Sequence, residues 1–339
     1  MLAVCGMGNG HFDALSAMQR EAVHSALRSV FGPVSVSAVT AVTGGATAAS
    51  VFCIEAGGRR YLLRIEGPAS PLRNPHQYVS MRIASEAGIA PKLHYVDETS
   101  RIAVTDFVEQ QPLQAFPDGP AALARALGEL LRRLQAVPVF PYFVDYPDIV
   151  GKLWAHVYRT GLFAPGVLGP ATERLDHIRQ AYVWDQAHSV SSHNGSIPGN
   201  ILFDGKRLWL IDWESAYRND PLVDVAIVLD NLARSPELES VLLQAWLGRV
   251  PDEAIRSRLK LTRALTRLYY AGVLFSASAA ASPAAPDTDL AAPTVGEFQQ
   301  AIRQGRLRRG APETKHVLGK MFLASYFLEV ATPGFDAAL

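Results

Sequence analysis

With 339 residues, 49% hydrophobic and 19% charged, the chain is long enough for two substantial cores and too apolar to be disordered. Lys+Arg and Asp+Glu both number 32, so no global field favours nucleic acid or an anionic membrane as a partner. Two cysteines, Cys5 and Cys53, exclude a disulfide framework, and no C-x-x-C or paired-His spacing marks a metal site.

The start, Met1-Leu2-Ala3-Val4-Cys5-Gly6, lacks the basic region and apolar core of a signal peptide. The cluster Gly6-Met7-Gly8-Asn9-Gly10 mimics a dinucleotide fingerprint, but no strand precedes it and it reads as a flexible terminus. Ala14 to Phe31 reads as an amphipathic helix with Leu15, Met18, Ala22, Ala26, Leu27 and Val30 on one face. Strands follow at Val34 to Val42, Ala49 to Glu55 and Arg60 to Ile65, with Gly44-Gly45 and Gly57-Gly58 at the turns. A helix over Pro75 to Ala87 precedes strands at Lys92 to Val96 and Ile102 to Phe107. From Ala121 the pattern is helical, with Leu123, Leu127, Leu130, Leu131 and Leu134 on one stripe. Further helices are expected at Ile149 to Tyr158, Ala171 to Ala187, Leu222 to Ala233, Leu238 to Leu247 and Glu253 to Phe275. The Ala-, Pro- and Asp-rich stretch Ser278 to Thr294 reads as a mobile loop. Helices resume at Val295 to Arg303 and His316 to Glu329. The apolar stretch Ala271 to Ala285 contains Ser residues and Pro283 and is too short to span a bilayer, so a cytoplasmic protein is the expectation.

Chemistry concentrates in His193-Asn194-Gly195-Ser196-Ile197-Pro198-Gly199-Asn200 and in Ile211-Asp212-Trp213-Glu214. Ile201 to Phe203 and Leu208 to Ile211 form a hairpin that presents Asn200 and Asp212, two oxygen donors of the kind Mg²⁺ prefers. The alternative is an ordinary turn-rich hairpin whose Asn and Asp are solvated. Gly195-Ser196-Ile197-Pro198-Gly199 is not a nucleophile elbow, because the serine is displaced from the centre of the motif. The basic run Arg303, Arg306, Arg308, Arg309 reads as a solvated helix end.

These residues resemble a kinase catalytic loop, H-R-D-x-x-x-x-N, followed by a metal-binding Asp. Asn219-Asp220-Pro221-Leu222-Val223-Asp224, Tyr61-Leu62-Leu63-Arg64-Ile65-Glu66-Gly67 and Gly88-Ile89-Ala90-Pro91-Lys92-Leu93 extend the likeness. The chain is similar to the aminoglycoside phosphotransferase and choline kinase superfamily, and within it to choline/ethanolamine kinases. Those carry His-Asn-Asp at the loop start and Ile-Asp-(Phe/Trp)-Glu on the metal strand. The resemblance implies an α+β, bilobal protein kinase-like fold. A small antiparallel five-stranded N-lobe, 1–108, would precede a larger, mostly helical C-lobe, 109–339. It also implies ATP and Mg²⁺, the latter on Asn200 and Asp212, and γ-phosphoryl transfer to a hydroxyl of a small amino alcohol. His193, Asn200, Asp212 and position 195 would carry catalysis. Gly44, Gly45, Thr47 and Arg64 would face the phosphates, with Gln77 beside Arg64, and the backbone of Asp106, Phe107 and Val108 would pair with adenine. Glu214, Tyr217, Trp154, Tyr269 and Tyr270 would serve the substrate, with Tyr158 a further candidate for an aromatic cage around an ammonium; core packing is the competing role for each aromatic.

Three positions depart from that family's pattern. Gly195 stands where the Asp that orients the attacking hydroxyl belongs, Gln77 where a helix Glu pairs the strand cation, and Ala48 where an Asn usually follows the Thr. Losing a general base costs about 10²–10⁴ in rate. The chain is therefore read as a weakened enzyme of this type. The rivals are a nucleotide-binding pseudokinase, an active enzyme in which Gly195 is an engineered or erroneous substitution, and a binding module that kept only the scaffold.

Overall fold

Ser16 sets the start of the first helix, α1 (Ala17–Phe31): its hydroxyl accepts from Gln19 N–H while the Gln19 side chain accepts from Ser16 N–H. The computed structural model describes residues 12, 15–42, 49–67, 74–182, 185–281, 285–332 and 334–339. Gly44, Gly45, Thr47 and Ala48, and the cluster Gly6 to Gly10, lie outside the described residues. Most of the expected face of α1 is inward: Leu15, Ala26 and Leu27 are buried with Val23 and Phe31, and Ala22 and Val30 are half-buried against them, whereas Met18 is 79% exposed. Met18 falls in the first turn, on the solvent side.

Five strands follow: β1 (Val36–Ala41), β2 (Ser50–Ala56), β3 (Arg59–Ile65) and, after helix α2 (Gln77–Glu86), β4 (Leu93–Asp97) and β5 (Ile102–Asp106). They form one antiparallel sheet in the order β1-β2-β3-β5-β4. Phe52, Ile54 and Ala56 alternate inward along β2, as a half-buried strand requires. They pack with Leu63, Ile65, Ile102 and Val104 against the apolar face of α1.

The rest is mostly helical: α3 (Gly119–Gln135), α4 (Tyr146–Arg159) and α5 (Gly169–Ala181), then, past the short strands β6 (Val190–Ser192), β7 (Ile201–Phe203), β8 (Leu208–Leu210) and β9 (Tyr217–Asn219), α6 (Leu222–Leu232), α7 (Pro236–Leu247), α8 (Glu253–Ala279), α9 (Val295–Arg303) and α10 (Pro312–Val330). The leucine stripe of α3 is buried at Leu127, Leu130, Leu131 and Leu134 and faces α7. Gly128 makes that contact possible, since a Cβ there would run into the Leu242 carbonyl and come within 2.9 Å of Trp246 N. α8 lies between α4, α6 and α10.

Two expectations are corrected. The helix expected over Ala171 to Ala187 ends at Ala181. The stretch Ser278 to Thr294, expected to be mobile, begins inside α8, and its described part is tied to the helices. Asp287 N–H donates to Leu162 O at 2.9 Å, and its carboxylate pairs with His316 Nε2 and Lys320 Nζ, each at 2.6 Å. These partners lie far along the chain, where composition carries no signal. Among the described residues no helix is long and apolar enough to cross a membrane.

Candidate functional site

The loop from β6 to β7 is held from beneath by Asp224, in the first turn of α6 and fully buried. Its Oδ2 accepts from Ser192 Oγ and His193 N, each at 2.7 Å. Its Oδ1 accepts from Asn194 N at 2.9 Å and Ser196 Oγ at 2.6 Å. Four donors on one buried carboxylate fix the loop's path, and burial of that charge is tolerable only because all four are in place. Asn194 adopts a left-handed backbone (φ 57°), which Asn tolerates, and its Nδ2 donates to Ser215 O at 2.9 Å. The loop is thereby tied to the segment after β8.

His193 Nε2 lies 2.9 Å from Ile211 O. A carbonyl can only accept, so Nε2 carries the proton and Nδ1 presents a lone pair, which is buried and meets no partner among the described residues. Burial pushes the His193 pKa down, against the pull of Asp224 and Asp212, and favours the neutral ring. The ring stands edge-on to Trp213, centroids 4.7 Å apart. Gly195 sits beside it. A Cβ at 195 would meet His193 Nδ1 at 3.4 Å and Asn200 Nδ2 at 3.8 Å, both ordinary contacts, and the residue is not in the left-handed region.

Asn200 donates its Nδ2 to Gly195 O at 2.9 Å, which assigns Oδ1 as the oxygen it can offer a cation. Ile211 N–H bonds back to Asn200 O at 3.0 Å, placing the following Asp212 beside it. Asp212 has a left-handed backbone (φ 68°, ψ 69°), a conformation that costs about 1–3 kcal/mol outside glycine.

Arg64, on β3, crosses to this segment. Its Nη2 donates to Asp212 Oδ1 at 2.7 Å and its Nε to Glu66 Oε1 at 2.6 Å, with Glu214 Oε2 at 3.9 Å. Burial opposes its charge, but Asp212, Glu66 and Glu214 outweigh it and its pKa rises. Gln77 opens α2, is buried, and lines a cavity of about 70 Å³ with Arg64, Glu66, Thr105 and Asp212. Asn74 Nδ2 and Ser80 Oγ both donate to Ala216 O, at 2.5 and 2.7 Å, and fasten the start of α2 to the same segment.

At the end of β5, Asp106 N–H is committed to Lys92 O and Phe107 N–H to Arg60 O, while the Asp106 carboxylate holds His94 Nε2 at 2.8 Å. Val108 makes no such backbone bond among the described residues.

The substrate candidates separate. Tyr217 and Tyr269 line a narrow cleft with Phe143, Tyr146, Asn74 and Asn194, directly against the loop. Tyr270 stands edge-on to Tyr269, its buried hydroxyl without a partner among the described residues. Burial raises the pKa of all four tyrosines, 146, 217, 269 and 270, so each remains a neutral phenol. Trp154 does not line this cleft: it shares a buried cluster with Tyr146 and Tyr217, its Nε1 donates to Leu268 O at 3.0 Å, and it packs edge-on to Phe275. Tyr158 points outward and is 64% exposed. Sequence reasoning missed Glu66 and Phe143 as site residues, and the roles of Asp224 and Tyr146. Asp224 stood inside a quoted motif, yet the donors it gathers lie 28 to 32 residues earlier.

Among the described residues no three His, Cys, Asp or Glu side chains are set to hold a metal. Asn200 and Asp212 offer two hard oxygens, which fits Mg²⁺: that ion takes one or two protein oxygens and completes its shell with water and phosphate.

Residues 38–259 match the phosphotransferase enzyme family. Two proteins named LicA from Haemophilus influenzae are similar: one is 39% identical over 57% of this chain and 73% of its own length. The other is 24% identical over 61% of this chain, which spans only 62% of that relative's length. The fold is shared with choline kinase LicA from Streptococcus pneumoniae (TM-score 0.63, 14% identity, 91% of this chain and 100% of that one). It is also shared with a LicA complex with AMP (TM-score 0.63, 15% identity, 92% and 99%).

Proposed function

The chain belongs to the phosphotransferase enzyme family, and from that premise we propose that it transfers the γ-phosphoryl group of ATP to the hydroxyl of a small amino alcohol of the choline or ethanolamine class. One observation carries the reading: the permanent cation of β3 and the acid after β8 meet at 2.7 Å, beside an asparagine whose oxygen is the atom it can offer. Nucleotide binding falls between a small lobe, residues 1–108, and a larger one, residues 109–339. Bound Mg·ATP supplies the transferable phosphoryl group and neutralises part of its charge.

The chain's own residues divide the remaining work. Arg64 offers a planar fork to phosphate oxygens. Asn200 and Asp212 hold Mg²⁺, and His193 fixes Asp212 by tethering the preceding carbonyl. Val108 N–H, which bonds no backbone carbonyl among the described residues, would pair with adenine at the strand exit. Tyr217 and Tyr269, with Phe143 and Tyr146, wall a cleft of about 10 Å³ that would have to open for aromatic faces to take an ammonium, and Glu214 would add negative charge from its place beside Arg64. Gly195 supplies no acceptor for the proton of the attacking hydroxyl, so turnover falls by about 10²–10⁴ relative to an Asp at that position. That same absence favours a second reading, a nucleotide-binding pseudokinase acting through a partner.

Calorimetry with Mg·ATP followed by phosphotransfer assays on choline and ethanolamine tests both. Slow transfer supports the enzyme. Binding with no transfer, even after Gly195→Asp, leaves the pseudokinase. No binding at millimolar Mg·ATP removes both.

A further inference from the structure

We infer that Glu66 is a positioning residue: it holds Arg64 in place of the helix acid that this chain has exchanged for Gln77, and so keeps the guanidinium fork aimed where phosphates bind. The inference rests on the nucleotide reading above and assigns a residue to it. In kinases a strand cation is kept in place by an acid from the neighbouring helix. Here that helix begins with Gln77, which is buried and lines the same cavity as Arg64 and Asp212. The helix position therefore faces the site but supplies a neutral amide.

The missing charge comes from the strand itself. Glu66 follows β3 by one residue, is 7% exposed, and accepts from Arg64 Nε at 2.6 Å. A buried carboxylate is retained at such a place only when paired. The geometry is specific. A bond to Nε fixes the plane of the guanidinium and leaves the Nη groups to point across the cleft, where Nη2 reaches Asp212. Without Glu66, the carboxylates left to Arg64 would be Asp212 at 2.7 Å and Glu214 at 3.9 Å. Arg64 would then compete with a cation for Asp212. Glu66 relieves that competition by holding the guanidinium at Nε, a separate donor from the Nη2 that meets Asp212.

The test is calorimetric titration of the full chain with Mg·ADP, which needs no turnover. Glu66→Gln, isosteric and uncharged, should weaken binding about tenfold, the size of a lost charge-assisted hydrogen bond, and should raise the Mg²⁺ concentration needed for half-maximal binding. Gln77→Glu in that background should restore affinity to within about threefold of the starting protein, because the acid returns from the helix side; a purely structural role for Glu66 predicts no such rescue. Melting curves verify folding. Should Glu66→Gln fail to fold, Glu66→Asp keeps the charge but withdraws it from Nε and should show a smaller loss. Unchanged affinity in a folded Glu66 variant, or a folded double variant with no recovery, overturns the assignment. If the unmodified chain binds no Mg·ADP, the nucleotide reading itself fails, and this inference with it.

Discussion

The guanidinium of Arg64 lies 2.7 Å from Oδ1 of Asp212, a residue 148 positions later in the chain, and both side chains are largely shielded from solvent. This contact joins the five-stranded sheet to the segment that follows the β7–β8 hairpin. In the proposed function it brings the cation assigned to phosphate and the acid assigned to Mg²⁺ to one point. Asp212→Ala is expected to abolish Mg²⁺ dependence of nucleotide binding. Glu214→Ala should reduce affinity less, since Glu214 stands 3.9 Å from Arg64. Titrating ADP with and without Mg²⁺ checks this; an Asp212→Ala protein that still responds to Mg²⁺ would remove the proposed metal site.

Gly195→Asp is expected to raise phosphotransfer by about 10²–10⁴. The backbone at 195 is not in the left-handed region, and a Cβ there meets His193 Nδ1 and Cε1 and Asn200 Nδ2 at 3.4–3.8 Å, so the position accepts a Cβ without backbone strain. Initial-rate assays with choline and ethanolamine, beside a melting curve, read the outcome. A folded variant that binds ATP and gains nothing counts against a simple lost-base enzyme.

Asp224→Ala should destabilise the protein by about 3 kcal/mol or more, because it strands four buried donors at once. Urea denaturation measures it. A loss below about 1 kcal/mol would mean that the loop finds other partners.

Tyr217→Ala and Tyr269→Ala should raise KM for an ammonium substrate several-fold, up to about tenfold, the size of one or two cation–π contacts. Trp154→Phe should leave KM unchanged and lower stability, since Trp154 donates to Leu268 O inside the core. A KM effect confined to Trp154 would reverse this assignment of the cleft.

Asp287 carries a pH signature. Burial disfavours its charge, but hydrogen bonds from Lys320 and His316 prevail and draw its pKa from 3.8 down to about 2. A depressed acid stabilises the fold fully above its unfolded pKa and loses that contribution as pH falls through its folded one. The expected contribution, about 2 kcal/mol, should vanish between roughly pH 4 and pH 2. Comparing denaturation of Asp287→Asn with the unmodified chain should show a gap near neutrality that closes in that window. A gap that persists at pH 2 would place the effect elsewhere.

Much of this was legible along the chain because it depends on local periodicity and spacing. The alternation of Phe52 and Ile54 set a strand, the leucines of α3 set a helix, and the seven-residue interval from His193 to Asn200 set a loop. The resemblance to the kinase loop, not the spacing, marked Gly195 as the odd residue. The three-residue strands β6 and β9 are too short to show a period, and only pairing with each other defines them.

What tertiary structure alone decided is which charges meet. Asp224 beneath the loop, Glu66 against Arg64 and Asp287 between His316 and Lys320 are contacts in which at least one partner's role is invisible to periodicity. Tertiary packing also sorted the aromatics, setting Tyr217 and Tyr269 on the wall of the cleft and Trp154 away from it against Phe275 within one buried cluster, though all three read alike as residues of the helical lobe. The physical reason is common to both: a helix or strand follows from neighbours in sequence, whereas the environment of a charge or ring is set by whatever the completed fold packs against it.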